Sequence, residues 1–428
     1  MPLLGTRASF WTAGAVVALA LWTSACPTMT YPLYQAEWGV STTAITWIFA
    51  AYPITLIPVL IIFGDLSDHI GRRASILIGL AAELIGALFF AVAGDVVWLL
   101  IGRVFMGIGV GLSISPASVA MVEFSAPGKE KRAGALSTAI SALGIGLAML
   151  VGGALTEYAP FPLHLDFFVL AVSIAAVACL VLCMPRHTPD EAQEPWRVRP
   201  IVIPRGSRVV FVAGSIAFAS SFLLGAIVLP LGAKIARQLA GSSNALVTGA
   251  LLSVFAACIT VFALVARRVP VWLLVVLGAA GSLAAVWLFV LTGVEHSLAL
   301  FFVASAVAGA AYAFDFAGGL TVFSRYAAPH HRAGMVSGGY LIGYAAQGVG
   351  APALGAVVTA HGLMPGLLTG ATAFSAFFVV VLIGGLTVLA PLHRRGLHAA
   401  RRTVEASASA SASAQEAVPA GDMEVGGP

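Results

Sequence analysis

Long apolar runs separated by short polar breaks make up most of the chain. Twelve runs are of spanning length: Trp11–Tyr34, Thr43–Phe63, Ala74–Ala93, Val96–Met121, Ala133–Leu155, Phe167–Met184, Val209–Leu231, Ala245–Ala266, Val271–Leu291, Leu298–Phe323, Gly334–Ala360 and Leu363–Ala390. Each has about 18–27 residues, which suits a helix crossing a hydrocarbon core of ~30 Å with some tilt. Barrel strands would need alternating segments of about ten residues, and the chain has none. The pattern predicts an all-α integral membrane protein with twelve transmembrane helices. The longest internal polar break divides them six and six. Residues 1–184 are expected to form one bundle, 185–207 a linker rich in proline and charge, and 208–390 a second bundle. Residues 391–428 form a tail whose Ser/Ala run, Ala406–Ala414, has little to bury and is expected to be disordered.

Composition agrees with lipid as the solvent. The chain has 428 residues, is 60% hydrophobic and 9% charged, and has a mean hydropathy of +0.99. A water-soluble fold of this size could not hide that much apolar surface. The net charge of +4 does not point to nucleic acid, because the basic residues are scattered among short loops. Their distribution over the loops is uneven. Of 22 Lys and Arg residues, 19 fall on the side that holds both termini, Lys234 and Arg237 fall on the other, and Arg103 lies inside a span. Basic loops stay in the cytoplasm, so the chain is expected to be a multi-pass protein of the cell membrane with both termini cytoplasmic. The N-terminal run has no convincing cleavage site and is too long for a signal-peptide core, so it reads as the first span. Cys26, Cys179, Cys183 and Cys258 all lie in apolar runs without the His or Asp that a metal site would need. No phosphate loop, zinc spacing or nucleophile elbow is present. The chain is therefore expected to be no enzyme, to bind no metal and no cofactor, and not to use ATP directly.

The densest charge lies between the second and third runs, in Gly64-Asp65-Leu66-Ser67-Asp68-His69-Ile70-Gly71-Arg72-Arg73. A turn this polar cannot sit in hydrocarbon and must lie at one membrane face. The pattern Gly-x-Leu-Ser-Asp-x-x-Gly-Arg-Arg, so placed, resembles the signature loop of the major facilitator superfamily. His69 departs from it, standing where the family usually has Arg or Lys. The resemblance implies two pseudo-symmetric six-helix bundles that rock about a central cavity, with Gly64, Asp65, Asp68, Gly71, Arg72 and Arg73 in a gating loop. It also implies that Asp68 meets the inner end of span eleven when the cytoplasmic side closes. Glu123, at the inner end of span four, matches a family acid that pairs with a signature-loop arginine, and Arg72 is the candidate partner. The two halves echo each other as the family's parallel repeats do: Arg132-Ala133-Gly134 opens span five and Arg332-Ala333-Gly334 opens span eleven.

Three ionisable residues lie well inside spans, where each costs several kcal/mol unless paired or solvated: Glu83, Arg103 and Asp315. Gly102-Arg103-Val104-Phe105-Met106-Gly107-Ile108-Gly109 resembles the family's fourth-span pattern, in which the arginine is linked with proton coupling. Met106 stands where Gln is frequent. An ion pair with Glu83 on the neighbouring span is an equally open reading, because the two residues lie at similar depth, about 4 Å apart along the membrane normal at ~1.5 Å per residue. Asp315 on span ten could carry a proton or face a cation, or be a hydrogen-bonded carboxylate near the inner mouth. Gly152-Gly153 falls near the family's fifth-span antiporter signature, but Ala148-Met149 replaces its Gly-Pro, so support for antiport is weak.

In the family the first and fourth spans of each half line the cavity. The uncharged candidates are Trp22, Tyr31 and Tyr34 on span one, Phe218 and Ser221 on span seven, and Tyr312 on span ten. Tyr340, Tyr344 and Gln347 on span eleven share a face at i, i+4, i+7. With few charges among them, the expected cargo is an amphiphilic drug or metabolite, exported by alternating access with a proton gradient as energy source. Proton-coupled uptake of a small neutral solute is the alternative, and a non-transporting receptor or scaffold is the alternative of another class. The expected partners are a small-molecule substrate and the lipid bilayer, with the chain acting as a monomer.

Overall fold

The structure, a computed structural model, describes residues 4–64, 66–185, 203, 205–326, 332–392 and 394. Asp65, most of the expected linker and nearly all of the expected tail lie outside them. Among the described residues there are helices and no strand. They are α1 (Thr6–Ala25), α2 (Tyr31–Trp38), α3 (Thr42–Phe63), α4 (Leu66–Ile70), α5 (Arg72–Ala91), α6 (Val96–Glu123), α7 (Glu130–Tyr158), α8 (Leu165–Leu182), α9 (Arg208–Gln238), α10 (Ala245–Ala266), α11 (Val271–Glu295), α12 (Leu298–Tyr326), α13 (Arg332–His361) and α14 (Leu363–Gly384). Among the described residues, twelve stretches are long and apolar enough to cross a membrane. The first is α1 and α2 together, Thr6–Trp38, broken by a 3-10 turn at Cys26–Thr28, where Pro27 has no N–H to donate.

Polar residues in the breaks start several of these helices. Ser41 accepts from the Ala44 N–H, Asp95 from Val97 and Trp98, and Asn244 from Val247. Each satisfies a backbone donor that the first helical turn leaves free. Gly71 precedes α5 at φ +85°, a left-handed conformation costly for any side chain with a Cβ. It turns the chain sharply between the short α4 and α5. Outward faces carry large apolar side chains such as Val172, Val209, Ile383 and Trp47, as a lipid-facing surface requires.

Glycines bring helices into backbone contact. Gly86 sits against the Gly102 carbonyl and Gly79 against that of Gly109, so α5 and α6 lock at two levels seven residues apart. α7 runs unbroken with no internal proline, in keeping with Ala148-Met149 at the fifth-span position.

The most extensive packing between the first six spans and the last six is α3 with α13 and α7 with α10. In span numbers these are two with eleven and five with eight. A two-fold that maps each span onto the one six places later exchanges the two pairs, so this packing agrees with pseudo-symmetric halves. Hydrogen bonds across the join cluster at the end away from the charged turn. Thr43 donates its N–H and hydroxyl to the Thr359 hydroxyl at 2.9 and 2.8 Å. The Ala245 N–H donates to Glu157 at 2.7 Å, and Lys234 donates to the Thr42 hydroxyl at 2.6 Å. The far end is closed by these bonds.

Candidate functional site

Three groups of residues stand out inside the helices, beside smaller polar contacts. The first surrounds Glu83 at the junction of α1, α5 and α6. Its carboxylate is fully buried and accepts from the Ser113 hydroxyl at 2.7 Å and the Thr23 hydroxyl at 3.1 Å.

Arg103 does not pair with it. The guanidinium, also fully buried, donates to the Ser24 carbonyl at 2.9 Å and the Tyr31 hydroxyl at 2.6 Å. It also lies 5.7 to 5.9 Å from the ring centres of Tyr52, Phe49 and Tyr31. The glycine contacts put Glu83 level with residue 105, so the two backbones do come close. The side chains then diverge. Each leans toward the N-terminus of its own helix, and α5 and α6 are antiparallel. Glu83 leans toward Ser113 and Arg103 toward the break after α1.

The second group mirrors the first in the other half. Asp315 of α12 is fully buried, and its Oδ2 accepts from the Ser220 hydroxyl of α9 at 2.7 Å and the Ser282 hydroxyl of α11 at 2.8 Å. Its Oδ1 has no hydrogen-bond partner. Glu83 sits where spans one, three and four meet, and Asp315 where spans seven, nine and ten meet. These are the same junction under the two-fold, with the acid donated by a different span in each half. Asp315 points between helices and not into an open groove, with Gly278 of α11 packed directly against its carboxyl group.

The third group is an aromatic cluster on α9, α12 and α13. Phe218 lies 4.7 Å from Phe316, 5.0 Å from Tyr340 and 5.2 Å from Phe222, centre to centre. Phe222 lies 4.7 Å from Tyr344, while Tyr312 stacks on Phe316 and Tyr340 on Tyr344. Four of the expected cavity residues, Phe218, Tyr312, Tyr340 and Tyr344, thus come together. Gln347 lies beyond them, its amide against Gly225.

The other uncharged candidates do different work. Tyr31 serves Arg103. Tyr34 is buried and donates to the Leu163 carbonyl at 3.2 Å, tying α2 to the turn before α8. The Ser221 hydroxyl bonds to the Phe218 carbonyl of its own helix. Trp22 packs against the hydrophobic clusters of both halves.

At the charged turn, Arg72 forms an ion pair with Glu123, partly exposed on both sides. Arg73 donates to the Met184 carbonyl at 2.9 Å, holding the turn to the end of the sixth span. Asp68 lies within electrostatic reach of Arg72. Gly64 ends α3 and Gly71 opens α5.

Asp166 and Lys234 belong to spans although the apolar pattern places them outside. Asp166 lies in the first turn of α8 and is buried, with its Oδ2 accepting from the Cys26 thiol at 3.2 Å and its Oδ1 unpartnered. It sits one residue before the expected span, so its sequence position carried the signal. Lys234 lies in α9, which continues to Gln238 where the apolar run predicts an end at Leu231. A lysine can extend a helix past the apolar stretch by laying its stem on apolar surface and presenting its ammonium to a polar region.

The sequence profile described as Major Facilitator Superfamily matches residues 10–294 of this chain. The MFS-type transporter EfpA of Mycobacterium tuberculosis is 33% identical over 146 residues, 34% of this chain and 27% of that protein. Puromycin resistance protein pur8 of Streptomyces alboniger is 28% identical over 177 residues, 41% of this chain and 33% of that protein. Multidrug efflux pump LfrA of Mycolicibacterium smegmatis is 28% identical over 191 residues, 43% of this chain and 36% of that protein. The chain thus spans about a third of the length of the curated relatives it matches. Among solved structures, the nucleoside transporter NupG superimposes with a TM-score of 0.71 at 16% identity, covering 89% of this chain and 99% of that one. A bacterial homologue of the lysosomal transporter Spinster, in an inward-facing state, superimposes with a TM-score of 0.68 at 17% identity, covering 89% and 96%. At such identities the superpositions speak for the fold alone. The profile covers well over half of the chain and the twelve spans carry the matching architecture, so the chain belongs to the Major Facilitator Superfamily.

Proposed function

We propose that this protein is a proton-coupled exporter of amphiphilic aromatic compounds that works by alternating access. The observation that carries the coupling is the Asp315 carboxyl. One oxygen takes two serine hydroxyls, and the other is buried with no partner. A carboxyl so placed has no fixed cationic partner among the described residues, so it can exist protonated or ionised as the cycle requires. Glu83, by contrast, has both oxygens satisfied.

Next to Asp315 in sequence, Phe316 enters the aromatic cluster. Rings of that number and spacing fit a planar apolar or cationic body by stacking and cation–π contact. The relatives pur8, a puromycin resistance protein, and LfrA, a multidrug efflux pump, favour export over uptake. With the charge-derived orientation, the bonded far end is the outer face, which supports reading the conformation as inward-facing. The signature turn then lies at the opposite face, where by family resemblance Asp68 engages the start of α13 on closure.

The test is accumulation of an aromatic dye cation, such as ethidium, in everted vesicles under an imposed pH difference. Wild type accumulates the dye. Asp315→Asn loses accumulation but keeps dye exchange across the membrane at equal pH. Accumulation by a well-expressed Asp315→Asn protein would rule out Asp315 as the coupling acid, and Glu83 would be tested next.

A further inference from the structure

At the closed far end, a cleft of about 640 Å³ opens where α2 and α3 of one half face α9 and α13 of the other. Its polar lining includes Gln35, Thr42, Lys234, Arg237, Gln238 and Thr359, and none of its lining residues is acidic. Lys234 is half-buried, and its ammonium donates to the Thr42 hydroxyl at 2.6 Å. That hydroxyl also takes the Gln35 amide N–H at 3.0 Å. An ammonium has three donors and a hydroxyl supplies no negative charge, so the positive charge has no counter-charge in the lining.

A helix C-terminus favours a nearby cation, which accounts for Arg237 in the last turn of α9. It does not account for Lys234, which sits a turn earlier and reaches across to the other half. Nor does topology, since basic residues on this face run against the bias that orients the chain. These two are the whole outer complement of basic residues, they lie three positions apart on one helix, and both face one cleft.

We propose that this cleft is an anion site. It takes an amphiphilic organic anion whose carboxylate, phosphate or sulfonate sits between Lys234 and Arg237, with its apolar body along Pro32, Val40 and Val358. The volume suits a ligand of drug size, within the usual ~300–1,000 Å³ of such pockets. A bound anion contacts both halves beside the Thr43–Thr359 bonds and so holds this end closed. The chemistry is shared by soluble organic anions and by the phosphate of an anionic lipid. The site stands on this geometry and requires neither proton coupling nor the aromatic cluster.

The test uses full-length protein in nanodiscs of phosphatidylcholine. The probe is dansylglycine, a fluorescent monocarboxylate, with its uncharged amide as control. Wild type binds the acid and not the amide, and added salt weakens binding by screening. Lys234→Gln weakens binding about tenfold and Arg237→Gln by a smaller factor, while Lys234→Arg stays within about threefold of wild type. Thermal unfolding of each variant in the same discs shows that the fold is kept. Nanodiscs containing phosphatidylglycerol then separate the sources: loss of dansylglycine binding there identifies a lipid head group as the resident anion. Unchanged binding there, with competition by inorganic phosphate, identifies a soluble one. Equal binding of acid and amide, or equal binding by wild type and Lys234→Gln, overturns the proposal.

Discussion

Arg103 and Glu83 are two buried opposite charges on neighbouring helices, each bonded to neutral partners, with the Arg103 Nε left without one. Arg103 supports the break after α1, where it serves the Ser24 carbonyl and the Tyr31 hydroxyl. Arg103→Ala strands both acceptors, and an unsatisfied buried group costs about 1–3 kcal/mol. Glu83→Gln keeps a carbonyl for one hydroxyl and offers an amide N–H to the other, which can rotate to accept it. The two substitutions are therefore unequal: Arg103→Ala lowers the thermal unfolding temperature clearly, and Glu83→Gln changes it little. Equal loss in both would mean that the charges depend on each other after all. Asp166 gives a second asymmetry. Cys26→Ser retains a donor to its carboxylate and is tolerated, whereas Cys26→Val leaves Asp166 buried with neither oxygen bonded and destabilises the fold by about 1–3 kcal/mol.

Helix contact in this protein depends on where glycine removes a side chain. Gly109 of α6 faces the Gly79 carbonyl and the Glu83 backbone so closely that an added methyl would overlap both. Gly109→Ala should destabilise the protein by about 1–3 kcal/mol, the usual cost of overpacking. Gly146 of α7 is the control. A methyl there would meet only Ala256, at the ordinary contact distance of 3.6 Å. Gly146→Ala should be neutral or slightly stabilising, because alanine is favoured over glycine within a helix by up to about 1 kcal/mol. Thermal unfolding of the two variants side by side checks the pair. Similar destabilisation in both would show that helix propensity, and not the α5–α6 approach, governs the result.

The whole molecule is bonded at one end between its halves, and the proposed alternating access requires those bonds to be reversible. A disulfide between cysteines at Thr43 and Thr359 should form under mild oxidation, stop transport and release it on reduction. By family resemblance, Asp68 helps close the opposite end. Asp68→Asn should therefore leave more molecules closed at the far end, forming the Thr43–Thr359 cross-link faster and transporting more slowly. Unaltered cross-linking and transport in Asp68→Asn would remove Asp68 from the gate. Orientation is checked separately in a background with Cys26→Ser and the other three cysteines replaced. An impermeant thiol reagent outside intact cells should label cysteines placed at the exposed Ser41 and Ser243, and none placed at Ser411. Labelling at Ser411 would invert the topology.

Spans one to twelve were legible in the sequence because lipid leaves so few options: a backbone in hydrocarbon must satisfy its own hydrogen bonds, so run length nearly decides helix number. The charged turn was legible for the same reason, since four ionised groups in ten residues cannot be buried. Its bonds were partly legible: the Arg72–Glu123 pair could be named by resemblance, but the hold of Arg73 on Met184 could not. The depth of Glu83 and Arg103 could be counted from the chain, yet their partners could not, because side-chain direction depends on which way each helix runs against its neighbour. The serines around Asp315 come from positions 95 and 33 residues away, a proximity that no local pattern encodes. The aromatic stripe on α13 could be read from its spacing, but only packing decided that it meets Phe218, Phe222 and Phe316 and not lipid. The anion cleft was the least visible, because its lysine lay past the apolar run of its helix. The two outer cations are already neighbours on α9, and the join between the halves adds the facing wall from α2, α3 and α13.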